Sequence, residues 1–191
     1  MSTQPTQLLT RQEYLAQERV SEIRHEYFAG EIFAMVGASR NHNQITLNIA
    51  AILHAQLKDR PCLAFVNDMR VRVDQTGLYT YPDLSVTCEE PVFEDDHSDT
   101  LLNPQVIVEV LSESTEKYDR GAKFQNYRKL DSLCEYVLVS QEKPLVERFV
   151  RQDSGQWLLT ATETLDATVL LEAVRCNLPM AEIYAKVLVT G

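Results

Sequence analysis

The stretch QVIVEVL, residues 105–111, constrains this chain more than any other. Side chains alternate along a strand, so Val106, Val108 and Val110 face one way, and Ile107, Glu109 and Leu111 face the other. Both faces are apolar except at Glu109. Such a strand belongs in the middle of a sheet that is covered on both sides. An unpaired ionised carboxylate there costs several kcal/mol. Glu109 must therefore be protonated, paired with a cation, or bound to a metal.

A second carboxylate sharpens the problem. In YPDLSVTCEE, residues 81–90, Asp83 follows Pro82 and opens a neighbouring candidate strand. Two carboxylates brought together repel unless a divalent cation lies between them. Two carboxylates with backbone carbonyls and waters are a donor set that suits magnesium. The spacing leaves another reading open: Glu109 pairs with an arginine or lysine from a helix, and Asp83 caps a strand end.

The rest of the chain supplies the elements around that strand. Thr10 and Glu13 in TRQE predict a capping box, with a short helix to about Glu18. RHEYFAGEIFAMVG predicts a hairpin turning at Ala29-Gly30. Ser39 is placed to cap a helix over RNHNQITLNIAAILHAQLK, with Ile45, Ile49 and Ile52 on its buried face and His42 on the same side. Strands are expected at about 62–66, 69–74, 83–88 and 105–111, then a helix at roughly 116–130 capped by Thr115. Further strands fit CEYVLVS, LVERFVR and QWLLTAT, and LPMAEIYAKVL reads as a final helix with Pro179 in its first turn. The strand–helix–strand run from 105 to 140 fits a parallel crossover. A central mixed sheet with helices on both faces is the economical α/β arrangement.

The chain of 191 residues is 45% hydrophobic and 24% charged, which suits one globular domain, and no domain boundary is visible. Residues 1–8 read as a loose tail. No signal peptide or membrane-spanning run is visible, so a soluble cytoplasmic protein is expected. The four cysteines, Cys62, Cys88, Cys134 and Cys176, lack C-x-x-C spacing, and Cys62, Cys88 and Cys134, in or beside expected strands, read as buried thiols in a reducing compartment. The net charge of -10 opposes a broad phosphate-binding surface. The segment 89–99 holds six of the 28 acidic residues and reads as a solvated loop.

In order, YPDLSV, NPQVIVEVLSEST, YDRGAKFQNY and CEYVLV resemble the Uma-two family of restriction endonucleases, which belongs by fold to the PD-(D/E)XK nucleases. YFAGEIFAMVGASRNHNQI is similar to the family's N-terminal part, including Gly30-Glu31 and the helix histidine. The resemblance implies a restriction-endonuclease-like α/β fold: a four-stranded mixed core sheet flanked by helices, with an extra N-terminal hairpin. It also implies Mg2+ or Mn2+ held by Asp83 and Glu109, the acidic residues of the family's Pro-Asp and E-x-K motifs. The motif lysine should fall at 111, where this chain has Leu111. The resemblance places the lysine on the following helix instead, at Lys123. Asp119, Lys123 and Tyr127 stand at i, i+4 and i+8, on one helix face. His42 stands where related nucleases carry a helix glutamate, and is expected to hold a water or a carboxylate beside the metal. Glu31 is expected as a further supporting residue.

The implied activity is metal-dependent hydrolysis of DNA phosphodiester bonds. A homodimer is expected, because nucleases that cut both strands often use two sites and closed twofold dimers are common. A rival of another class is a non-catalytic binding protein that retains the nuclease fold, which Leu111 and the acidic charge favour.

Overall fold

A computed structural model describes residues 8–35 and 37–188. The capping box is present: Thr10 caps α1 (Arg11–Glu18), and Glu13 bonds back to the Thr10 backbone. The tail expected over 1–8 lies outside the described residues except for Leu8, which packs against Gly30. β1 (His25–Phe28) and β2 (Glu31–Ala34) pair through a tight turn with Ala29 at φ 51° and Gly30 at φ 94°. Positive φ at both central residues matches the right-handed twist of a hairpin. At Gly30 a Cβ would also lie 2.7 Å from the Leu8 side chain. Ser39 caps α2 (Arg40–Leu57) by accepting a bond from the His42 N–H at 3.0 Å.

The chain continues through β3 (Leu63–Val66), β4 (Arg70–Val73), β5 (Leu78–Thr80), β6 (Leu84–Thr87), β7 (Thr100–Leu101) and β8 (Val106–Leu111). Next come α3 (Glu116–Tyr118), a π-helical turn (Asp119–Lys123) and α4 (Phe124–Tyr127). β9 (Glu135–Ser140), β10 (Val146–Arg151), β11 (Trp157–Thr162), β12 (Thr168–Leu171), β13 (Cys176–Pro179) and α5 (Met180–Ile183) complete it.

β8 is a central strand, as its sequence requires. The main sheet runs β11-β10-β9-β8-β6-β3, with β8 and β9 parallel and the other pairs antiparallel. It has six strands, beyond the four that the family resemblance implies. Val106, Val108 and Val110 pack against Ile45, Ile49 and Leu53 of α2 and against the β12–β13 hairpin. Ile107 and Leu111 face Phe124 and Tyr127 of α4, together with Val71 and Leu78 of a second sheet ordered β2-β1-β5-β4-β7. The second cover is thus a helix plus a sheet.

Several expectations are corrected. Thr115 makes no side-chain cap; its hydroxyl bonds Ser112 instead. The helix expected to reach 130 ends at Tyr127 and contains the π-turn. The final helix shrinks to Met180–Ile183, because Cys176–Pro179 pairs with β12 and Lys186 turns at φ 63°. Cys62 and Cys88 are a disulfide, not thiols: the register Leu63↔Thr87 leaves them opposite one another, with Cα atoms 3.9 Å apart. Cys134 and Cys176 are free. The acidic segment is anchored and not simply solvated. Glu94 accepts bonds from Arg11 and from the Tyr79 hydroxyl, and Arg19 pairs with Asp95 and Asp99. Among the described residues no helix is long and apolar enough to cross a membrane.

Candidate active site

The register of β6 with β8, Leu84↔Val108, puts Asp83 next to Glu109 on the neighbouring strand. Asp83 Oδ2 accepts the Val110 N–H at 2.7 Å, and Oδ1 lies 2.6 Å from His42 Nε2. Asp83 is therefore fixed by the backbone of β8 on one side and by the first turn of α2 on the other.

Glu109 is buried and faces α4. Its Oε1 accepts the Tyr127 hydroxyl at 2.8 Å and pairs with Lys123 Nζ, also at 2.8 Å. Lys123 Nζ further lies 3.2 Å from Glu26 Oε1 of β1 and 3.5 Å from Asp119 Oδ1. The Thr80 hydroxyl donates to Glu26 and lies 3.3 Å from the Tyr127 hydroxyl. The π-turn explains how one helix supplies three of these groups. Four residues over-rotate an α-turn slightly and under-rotate the wider π-turn. With one turn of each kind in succession, Asp119, Lys123 and Tyr127 keep nearly one heading.

Charge is unbalanced here. Glu26, Glu109 and Asp119 surround a single lysine, and Asp83 stands beside Glu109 with His42 alongside. Burial pushes the Glu109 carboxyl well above its usual range; Lys123 opposes this, while Asp119 and Asp83 add to it. Asp119 is raised as well, chiefly by burial. Burial alone would lower the Lys123 ammonium, but Glu109, Tyr127, Glu26 and Asp119 outweigh it, so Lys123 stays protonated well above its ordinary value. A further cation would balance this excess of carboxylate. The hard oxygen donors of Asp83 and Glu109 suit magnesium or manganese. Among the described residues no three His, Cys, Asp or Glu side chains converge as a ligand cage. A site of two carboxylates, backbone carbonyls and water needs no such cage.

The structure brings together Asp83, Glu109, Lys123 and His42 from the residues singled out in the sequence. It does not bring Glu31, which is exposed at the start of β2 and has no bond to the cluster. Glu26, on the other strand of the same hairpin, occupies that place. Alternation against the buried Tyr27 was the available signal for Glu26, but it does not reveal which element the opposite face meets. Leu111, at the expected lysine position, is packed in the apolar core.

Residues 11–181 match the Uma2 family, described as "Putative restriction endonuclease". The chain belongs to this family. Two relatives of this Uma2 chain come from Synechocystis. "Uncharacterized protein sll1609" is 40% identical over 155 residues, covering 81% of this chain and 88% of that protein. "Uncharacterized protein slr1290" is 36% identical over 163 residues, covering 85% and 84%. The Uma2 chain also shares its fold with a crystal structure from Anabaena variabilis, titled "a putative nuclease belonging to DUF820". The TM-score is 0.78 at 18% identity, covering 94% of this chain and 99% of the other.

Proposed function

We propose that this Uma2 protein is a magnesium- or manganese-dependent endonuclease that hydrolyses DNA phosphodiester bonds in the cytoplasm. The observation that carries the reading is the convergence of Asp83, Glu109 and Lys123, where buried carboxylates outnumber cations. Asp83 and Glu109 would hold the metal, which when bound supplies Lewis acidity toward a phosphoryl oxygen. Lys123 holds the attacking water by hydrogen bond and offsets charge developing on the phosphate. His42 and the Val110 N–H orient Asp83, and Tyr127 orients Glu109. Lys123 thus takes the task that a lysine at 111 would perform.

A non-catalytic reading draws on one observation: Lys123 already neutralises Glu109 as a buried pair. Cleavage in manganese of DNA offered both as supercoiled plasmid and as single strands separates the two. The wild type should cut at least one of them, and Asp83→Ala and Lys123→Ala should cut neither. A wild type that leaves every DNA intact in manganese and magnesium would overturn the nuclease reading.

A further inference from the structure

Two exposed aromatic rings border the carboxylate–lysine cluster, and they come from different elements. In the β1–β2 hairpin, Glu26 is directly opposite Phe33. Directly opposed residues share one face of the sheet, with Cβ atoms about 5 Å apart. Phe33 therefore stands beside the carboxylate that pairs with Lys123, yet it is 50% exposed. Phe28 shares that face by strand alternation and is 40% exposed. The other face of the hairpin is accounted for: Tyr27 stacks on Tyr14 at 4.8 Å, and Ile32 packs with them. From the helix side, Tyr118 is 36% exposed, and its ring centroid is 5.9 Å from Lys123 Nζ. The hairpin and α3 thus each present a ring at the same Glu26–Lys123 pair.

Most cations near this rim are already engaged, although the exposed Lys117 beside Tyr118 makes no ion pair among the described residues. Lys123 lies within 3.5 Å of three carboxylates, Arg120 pairs with Glu116 and Glu147, and Arg24 lies 3.5 Å from Asp68. With a net charge of -10, the protein has little with which to neutralise the phosphates of a duplex. Exposed rings at a nuclease site offer another source of affinity, because nucleobases stack on aromatic side chains without regard to sequence. In a duplex those base faces are already stacked; in a single strand they are free.

We propose that the substrate is single-stranded DNA, gripped by stacking its bases on Phe33 and Tyr118 on either side of the cluster. This rests on the nuclease reading for its site and deepens it by naming the substrate. Cutting one strand needs one site, so the proposal does not draw on a dimer.

The test is fluorescence anisotropy with a labelled single strand of about 20 nucleotides and the matching duplex, in EDTA at low salt. Without metal the result is independent of cleavage, so failure here and failure of the cleavage assay are distinguishable. The single strand should bind at least about tenfold tighter than the duplex. Phe33→Ala and Tyr118→Ala should each weaken single-strand binding by about tenfold, within the alanine loss per stacked base. Phe33→Trp should restore it. The salt dependence should be shallow, equivalent to about one or two phosphates. Because Phe33 is half exposed, its variants should melt with the wild type, which separates lost stacking from lost fold. Equal or tighter binding of the duplex, unchanged binding in both alanine variants, or no binding of the single strand would each overturn the proposal.

Discussion

Replacing Lys123 by methionine keeps the apolar stem and removes the ammonium. Around the vacated Nζ position stand Glu109 at 2.8 Å, Glu26 at 3.2 Å and Asp119 at 3.5 Å. Opposite unit charges about 4 Å apart attract by roughly 4 kcal/mol at an effective dielectric of about 20. Three such attractions vanish together. Glu109 and Asp119 respond by taking up protons, toward which burial already pushes them, and this limits the loss. The expected net cost at pH 7 in EDTA is about 3–5 kcal/mol, as for a buried pair broken from one side. The sign with pH follows. In the variant Glu109 and Asp119 titrate above their unfolded values, so the deficit is largest above the raised values. It shrinks as pH falls through them toward the ordinary carboxylate range near 4. Glu109→Gln is the control. It removes one negative charge, retains an acceptor for Tyr127 and leaves Lys123 with Glu26 and Asp119, so the metal-free protein should match the wild type within about 1 kcal/mol or exceed it. Urea denaturation at pH 7 and pH 5 in EDTA reads all three proteins. A methionine variant as stable as wild type at pH 7, or a deficit that does not shrink at pH 5, would refute the charge-excess argument. A loss of several kcal/mol in Glu109→Gln would instead mark the pair as structural.

Manganese should raise the melting temperature of the wild type, and Asp83→Ala should abolish that rise in differential scanning fluorimetry; an equal rise in both would move the metal elsewhere. Leu111→Lys combined with Lys123→Ala should recover part of the DNA cleavage that Lys123→Ala loses, incompletely because Leu111 also packs the core. Cys62→Ser with Cys88→Ser should cost about 3 kcal/mol in urea, since the bridge closes a separation of 26 residues. Arg19 holds the Asp99 carboxyl well below its usual range, and Arg70 adds to this against the opposing effect of burial. Asp99 therefore stabilises above the unfolded carboxylate value near 4 and ceases to do so as pH falls through its folded value. Asp99→Asn should accordingly cost about 0.5–1 kcal/mol at pH 7, allowing for solvent screening, with the difference from wild type closing in acid.

Much of the frame was legible from local pattern alone. The alternation in residues 105–111 demanded cover on both faces of β8, and that cover is present. The hairpin turn, the Thr10 capping box and the Ser39 cap each depend on neighbours a few residues away, so the sequence carries them directly. Four short strands escaped it: β5, β7, β12 and β13. Their two to four residues hold too little periodicity, although β12 pairs locally with β13 and β5 with β4. The Cys62–Cys88 bridge escaped because the register of β3 on β6 places cysteines that the sequence separates.

The site divides along the same line. By itself the sequence determined that Glu109 is buried and must be neutralised, because strand alternation is a property of one segment. It also put Asp119, Lys123 and Tyr127 on a single helix face. Only the tertiary structure decided that Lys123 is the neutralising group, that Asp83 is fixed by Val110 and His42, and that Glu26 joins them in place of Glu31. The physical reason is that a segment specifies which of its side chains share a face, whereas packing between segments decides what that face meets.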